Sequence, residues 1–182
     1  KRSYFFLLDY LGLVFVLLLL VVVFGVFTEN FFTWTNFRTI VNQTPDAVVI
    51  AVGMTFVLII AGIDLSVGSV LGLSAAVLAI CLHRLELPMA VGIAACLATG
   101  LLCGVLNGLT VITWRLPSFI VTLGMLEIAR GGAYLVTSSR SVYVGTQLGD
   151  FVSMRVGGVS VMFVIAVLVV AAGQIVLSMT AF

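Results

Sequence analysis

The sequence predicts an all-α protein, a polytopic transmembrane helical bundle of about six membrane segments, and three observations predict it. Of its 182 residues, 63% are apolar and 8% are charged, against roughly 45–50% and about 25% in an ordinary soluble domain. Seven acids, eight bases and one histidine are too few to cover the surface of a soluble fold of this size. The apolar residues also gather into stretches of about 20 residues, the length that crosses a hydrocarbon core about 30 Å thick. Finally, the period-two alternation of a membrane β-barrel is missing, and backbone groups in lipid must be satisfied within their own segment.

The first stretch, 10–27, carries no charge between Tyr10 and Phe27 and follows Lys1, Arg2 and Asp9. It is longer than a secretory h-region of about 7–15 residues and runs into Phe27-Thr28-Glu29, not into a small-x-small cleavage site, so it reads as a retained helix. Segment 28–45 mixes Phe31, Phe32, Trp34 and Phe37 with Asn30 and Arg38. Aromatic rings beside polar groups settle at headgroup depth, which predicts a short interfacial helix. Spans are then predicted at 46–63, 65–82, 88–114, 118–138 and 157–178, with Pro117 opening the fifth. Segment 139–156 reads as a loop.

Lys1 and Arg2 place the N-terminus in the cytoplasm, which puts 28–45, 83–87 and 139–156 outside and Asp64 and Arg115 inside. Arg38, Arg84, Arg140 and Arg155 fall on the outer side and dilute that bias. With no initiator Met and an apolar run reaching Phe182, both ends read as cut. Residues 1–182 are expected to form one transmembrane domain truncated at its C-terminus.

Several functions fall away. A formal net charge of +1 offers no basic field for nucleic acid and no acidic tail. Cys81, Cys96 and Cys103 lie inside apolar stretches with no Cys-x-x-Cys pair, and His83 is the sole histidine, so the thiols read as small packing residues and no metal site is expected. No phosphate loop, His-Glu-x-x-His or Gly-x-Ser-x-Gly is present, so no catalytic residue and no enzyme activity is expected of this chain.

Gly100, Gly104 and Gly108 recur at four-residue spacing, as do Gly68, Gly72 and Ala76. Helices in lipid associate through close backbone approach at small residues, so these glycines read as packing seams. Asp64, in Gly62-Ile63-Asp64-Leu65-Ser66, separates two apolar runs. Two readings fit it. Asp64 with Ser66 makes a helix N-cap and Gly62 a C-cap, which describes a tight joint; alternatively a broken helix faces an aqueous cavity, where irregular backbone is tolerated. Glu127 and Arg130 stand three apart and can touch on a helix. Facing the bundle interior, such a pair either fixes helix rotation or lines a path. Asn107 can bridge helices by hydrogen bonds.

Five of these stretches follow one another in order: Ala51-Val52-Gly53-Met54-Thr55-Phe56-Val57; Gly62-Ile63-Asp64-Leu65-Ser66-Val67-Gly68-Ser69; Leu106-Asn107-Gly108; Leu116-Pro117-Ser118-Phe119-Ile120-Val121-Thr122-Leu123-Gly124-Met125; and Ile128-Ala129-Arg130-Gly131. In that order and spacing the chain resembles the N-terminal half of bacterial ABC-transporter permeases of the ribose/xylose/galactose and autoinducer-2 type. Glu127 departs from the small or polar residue usual there, and Ser138-Ser139-Arg140-Ser141 from a Gly-Gly-Arg-Pro-like run.

The resemblance implies a multi-pass protein of the bacterial inner membrane. Two permease subunits, alike or different, would form a path for a monosaccharide. A cytoplasmic ABC ATPase would drive it with ATP and Mg2+, and a periplasmic sugar-binding protein would deliver the solute. Asp64, Ser66, Asn107, Glu127 and Arg130 are then the candidates for the path or its gate. Two other classes stay open on the residues alone: an ion-coupled secondary transporter or channel subunit using Asp64 and the Glu127–Arg130 pair as a relay, and an anchoring subunit that only packs against partners.

Overall fold

The computed structural model describes residues 2–144, 146–156 and 159–180, and for 2–10, 146, 147, 151, 153, 155 and 156 it describes the backbone alone. Two compact units emerge, Lys1–Thr44 and Pro45–Phe182.

The first unit holds α1 (Arg2–Phe27) and α2 (Trp34–Gln43). A Leu/Val/Phe run from Leu13 to Phe24 sustains α1, and the turn at 28–33, opened by Thr28-Glu29-Asn30, ends it. Asn30 takes the left-handed conformation (φ 67°), which Asn tolerates better than most residues. Thr33 then caps α2: its hydroxyl accepts from Asn36 N at 3.3 Å and donates to Asn30 O at 2.7 Å, satisfying a free N–H of the first turn. Phe31 stacks on Phe24 (centroids 6.3 Å apart), and the Arg38 guanidinium lies 5.8 Å from the Trp34 ring centre, a cation–π geometry. A short helix therefore does form within 28–45.

The second unit runs α3 (Pro45–Ile59), α4 (Val67–His83), α5 (Met89–Trp114), α6 (Ser118–Thr137), α7 (Thr146–Ser153), β1 (Arg155–Val156), β2 (Val159–Ser160) and α8 (Val161–Met179). Helix α4 packs against both α5 and α6, α5 touches α6, and α3 packs against α8. By length and composition, Trp34–Ile59, Met89–Trp114, Ser118–Thr137 and Val161–Met179 can each cross a membrane; Leu11–Phe27 and Val67–His83 are shorter apolar helices. The chain is thus a helical membrane bundle. Pro45 opens α3, and Pro88 and Pro117 directly precede α5 and α6, where a missing N–H removes no helical bond.

Segment 139–156 is more ordered than the loop reading held. Among the described residues it contains α7 and β1, and β1 pairs antiparallel with β2 (Arg155 opposite Ser160, Val156 opposite Val159). The Gly157-Gly158 pair between two valines is a hairpin signal, hidden because the last apolar run begins beside it. Ser160 ends the hairpin by capping α8, accepting from Phe163 N at 3.2 Å.

Among the glycines expected at packing seams, only Gly100 stands at a contact between helices of this unit. A Cβ added at Gly68, Gly72, Gly104 or Gly108 would meet nothing within 4 Å, and one at Gly100 only Ser74 Oγ at 3.6 Å. Close approaches fall instead at Gly92 (3.1 Å from Leu78 and Leu82), Gly132 (3.3 Å from Leu73) and Gly173 (3.0 Å from Val52). On α5 the buried positions are Gly92, Cys103 and Asn107. Gly104 and Gly108 each follow a buried residue by one step, about 100° around the helix, and so stand beside the buried face of α5 without touching α4. Four-residue spacing shows that residues share a face without telling which face is covered.

The α3–α4 joint is wider than a turn at Asp64. Helix α3 stops at Ile59 and α4 starts at Val67. Ala61 N donates to Leu58 O and Gly62 N to Val57 O, both at 2.9 Å, the paired bonds of a Schellman ending. The left-handed residue is Ala61 (φ 54°), one place before the Gly62 that the sequence nominated as C-cap. Gly62 is needed for closeness, since a Cβ there would sit 3.1 Å from Val57 O. The substitution Ala61→Gly is expected to stabilise the protein by about 0.5–1 kcal/mol, because only glycine adopts this conformation without steric penalty. Denaturant unfolding in micelles checks it, and a lower midpoint would contradict the assignment.

Candidate functional site

The seven residues between α3 and α4 leave backbone groups outside any helix, and side chains from the neighbouring helices take them up. From α6, Ser118 Oγ accepts from Ile63 N at 2.9 Å and Thr122 Oγ1 from Leu65 N at 3.1 Å. The Thr122 hydroxyl can also donate to Ile63 O at 3.2 Å. Within the joint, Asp64 Oδ1 accepts from Ser66 N at 2.8 Å and from Ser66 Oγ at 2.7 Å. From α5, Asn107 Nδ2 donates to Ser66 Oγ at 3.2 Å. Irregular backbone at membrane depth persists only where neighbours re-satisfy it in this way.

The N-cap expectation needs correction. Ser66 holds the N-cap position of α4 but makes no side-chain cap bond; its hydroxyl is spent on Asp64 and Asn107. Asp64 closes a local turn instead, binding the N–H two residues on. A carboxylate that accepts two hydrogen bonds gains charge-assisted partners for one of its oxygens.

Asp64, Ser66 and Asn107, which the sequence nominated separately, thus form one chain of contacts. Ser66 is 1% exposed and Asn107 8%. Asn107 Oδ1 is buried without a hydrogen-bond partner. All three line a cavity of about 540 Å³ bounded by α3, α4 and α5, together with Ser74, Cys96, Gly100 and Gly104. The remaining lining is Ile, Val and Leu. Gly100 and Gly104, open toward α4, are therefore part of a wall. Asp64 at the head of α4 gives the broken-helix reading its geometry: irregular backbone beside a cavity.

Glu127 and Arg130 do pair, Glu127 Oε1 lying 3.6 Å from Arg130 Nη1. Their side chains are 67% and 59% exposed, so the pair faces outward and not into the interior assigned to it from sequence. The buried stripe of α6 is Thr122, Met125 and Ala129, which turns Glu127 to the opposite side and leaves Arg130 about 100° off the stripe. Neither residue lines the cavity. Replacing both by Gln is expected to shift unfolding by less than about 1 kcal/mol, the range of exposed ion pairs. A larger loss in a micelle unfolding assay would place the pair against something it does not touch here.

Sequence reasoning missed Ser118, Thr122 and Ser74. The available signal was a pair of hydroxyls four apart at the start of α6, on one helix face and at the same depth as a predicted break.

Fold and site together define a multi-pass helical membrane protein with a hydrogen-bonded break beside an open, mostly apolar cavity. Residues 36–182 match the family described as branched-chain amino acid transport system / permease component, and the chain belongs to that family. It is 39% identical over 129 residues to Ribose import permease protein RbsC of Haemophilus influenzae, covering 71% of this chain and 40% of that protein. To Xylose transport system permease protein XylH of Escherichia coli it is 42% identical over 121 residues, 62% of this chain and 31% of that one. Fructose import permease protein FrcC of Rhizobium meliloti is 34% identical over 128 residues, 70% and 36% respectively. The chain thus spans well under half the length of the curated relatives it matches. No solved structure matches it.

Proposed function

We propose that the chain is part of the permease subunit of an ATP-binding-cassette importer and contributes to the translocation path of a monosaccharide. The observation that carries this reading is its similarity to ribose, xylose and fructose permeases at 34–42% identity. In this reading the protein resides in a bacterial inner membrane and pairs with a second permease subunit. A cytoplasmic ABC ATPase binding ATP and Mg2+ supplies the energy, and a periplasmic sugar-binding protein delivers the solute.

The family description names branched-chain amino acids, so the solute class needs an argument of its own. An amino acid brings a carboxylate that wants a cation or a row of N–H donors. The cavity lining holds Asp64 but no Lys, Arg or His. A neutral, hydroxyl-rich solute fits that lining better. An ion relay would need Asp64 and the Glu127–Arg130 pair on one route, and that pair lies off the cavity.

The test is uptake into vesicles carrying the full-length permease and its ATPase, with ATP enclosed and binding protein outside. ATP-dependent uptake of ribose, xylose or fructose, and none of leucine, is the expected result. Leucine uptake would reverse the solute class. Uptake driven by a pH or sodium gradient without the ATPase would replace the importer by a secondary transporter.

A further inference from the structure

Asn107 is the feature of the cavity that packing alone does not explain. It is 92% buried, 8% of its surface being exposed. One end of its amide is committed, Nδ2 to Ser66 Oγ, while Oδ1 has no partner. That assignment of the amide is fixed by its neighbour: Ser66 Oγ already donates its one proton to Asp64 Oδ1, so it can only accept from Asn107. Leaving a buried acceptor unpaired costs free energy that an apolar residue at this position would avoid.

Nearby, Asp64 spends Oδ1 on Ser66 twice, and its second oxygen remains an acceptor. The polar end of the cavity therefore holds two acceptors short of donors, one oxygen of Asp64 and, buried just beneath the lining, Asn107 Oδ1. A bare cation is a poor match, because hard cations want six or so oxygen ligands, and the side-chain oxygens of the lining come only from Asp64, Ser66, Ser74 and Asn107. The other walls are Ile, Val and Leu with two glycines, which suit the C–H faces of a small ring. The cavity is open on the side of Leu97 and Leu101, each 69% exposed, so a solute can enter it, and apolar walls with a few convergent polar groups are the usual form of a small-molecule site.

We propose that this cavity is a transit site for the solute, in which the Asn107 side chain turns toward the cavity so that Oδ1 accepts a hydrogen bond from one hydroxyl of a monosaccharide, and Asp64 accepts from a neighbouring hydroxyl. Ser66 holds both acceptors in place and has no contact with the sugar. The proposal rests on the importer reading and adds to it a place and a pair of acceptors.

The experiment is a cycle between residue and hydroxyl in the assembled full-length transporter. Uptake of the sugar carried by the wild type is compared with that of its monodeoxy analogues, and both are repeated for Asn107→Ala. Lacking one particular hydroxyl is expected to slow wild-type uptake about threefold to tenfold, as fits a single hydrogen bond in a membrane interior. Asn107→Ala should slow the parent sugar to that level and leave the matching deoxy analogue unaffected. A structural role alone would slow every sugar by the same factor, which overturns the proposal while ATP-dependent uptake upholds the importer. Absence of any sugar uptake by the wild type overturns both.

If Asn107→Ala does not assemble, the wild type decides. Cys96 lines the same cavity, whereas Cys81 and Cys103 are buried. Saturating sugar should slow maleimide labelling of Cys96 at least about threefold, the same hydrogen-bond scale, and the deoxy analogue should protect less. A labelling rate that sugar leaves unchanged overturns the site.

Discussion

Replacing Thr122 by valine is expected to destabilise the protein by about 2–4 kcal/mol although the two side chains share a shape. Thr122 is 4% exposed and its hydroxyl serves two backbone groups of another segment, accepting from Leu65 N at 3.1 Å and donating to Ile63 O at 3.2 Å. Valine supplies neither function. Each group left without a partner costs about 1–3 kcal/mol, and a lipid surround offers no water to replace it. Thr122→Ser keeps the oxygen and should recover most of the loss. Ser118→Ala removes only the bond to Ile63 N, which lies at an exposed position, and is expected to cost about 1 kcal/mol. Unfolding midpoints of the full-length protein in mixed micelles give all three. A Thr122→Val midpoint equal to wild type would mean that the joint is solvated and not held by α6.

The same residues show where the sequence was legible. Apolar runs bounded by Pro45, Pro88, Pro117 and the Asp64 region marked the long helices of the second unit to within about four residues, the usual uncertainty of such boundaries, whereas α1 begins at Arg2, eight residues before its predicted span. The bundle class needed nothing more, since composition alone excludes a soluble surface. What stayed hidden was which face of each helix is covered. In water a polar face and an apolar face tell inside from outside, but a helix in lipid is apolar all round and carries no such stripe. That is why the repeat of Gly100, Gly104 and Gly108 marked a shared face without telling whether this chain or a neighbouring subunit covers it, and why Glu127 and Arg130 were placed inside. The grouping of Asp64, Ser66 and Asn107 was hidden for another reason. Asn107 lies 41 positions beyond Ser66, and only the packing of α5 against α4 brings them together. Shortage of charge, by contrast, carried further than membrane residence: it leaves one carboxylate, one amide and a few hydroxyls as the whole polar equipment of the cavity, and those are groups suited to a neutral solute.

The two kinds of glycine in the second unit separate under substitution. Gly173→Val is expected to cost about 1–3 kcal/mol, because its Cβ would sit 3.0 Å from Val52 Cγ1 and 3.6 Å from Phe56, at the contact of α8 with α3. Overpacking of this kind forces side chains off their rotamers or moves the helices apart. Gly104→Val should not lower the stability of the chain at all. Nothing lies within 4 Å of its new Cβ, and leaving glycine in a helix interior gains a few tenths of a kcal/mol. Its effect belongs to function, since Gly104 lines the cavity with Asn107. Two assays on the assembled transporter tell what the open face is for. Loss of uptake with subunit association intact assigns the face at Gly104 to the solute. Loss of association assigns it to a neighbouring subunit, through the close helix approach that small residues permit. A midpoint lowered as far as that of Gly173→Val would show that α5 is already packed at that face, contrary to the open wall found here.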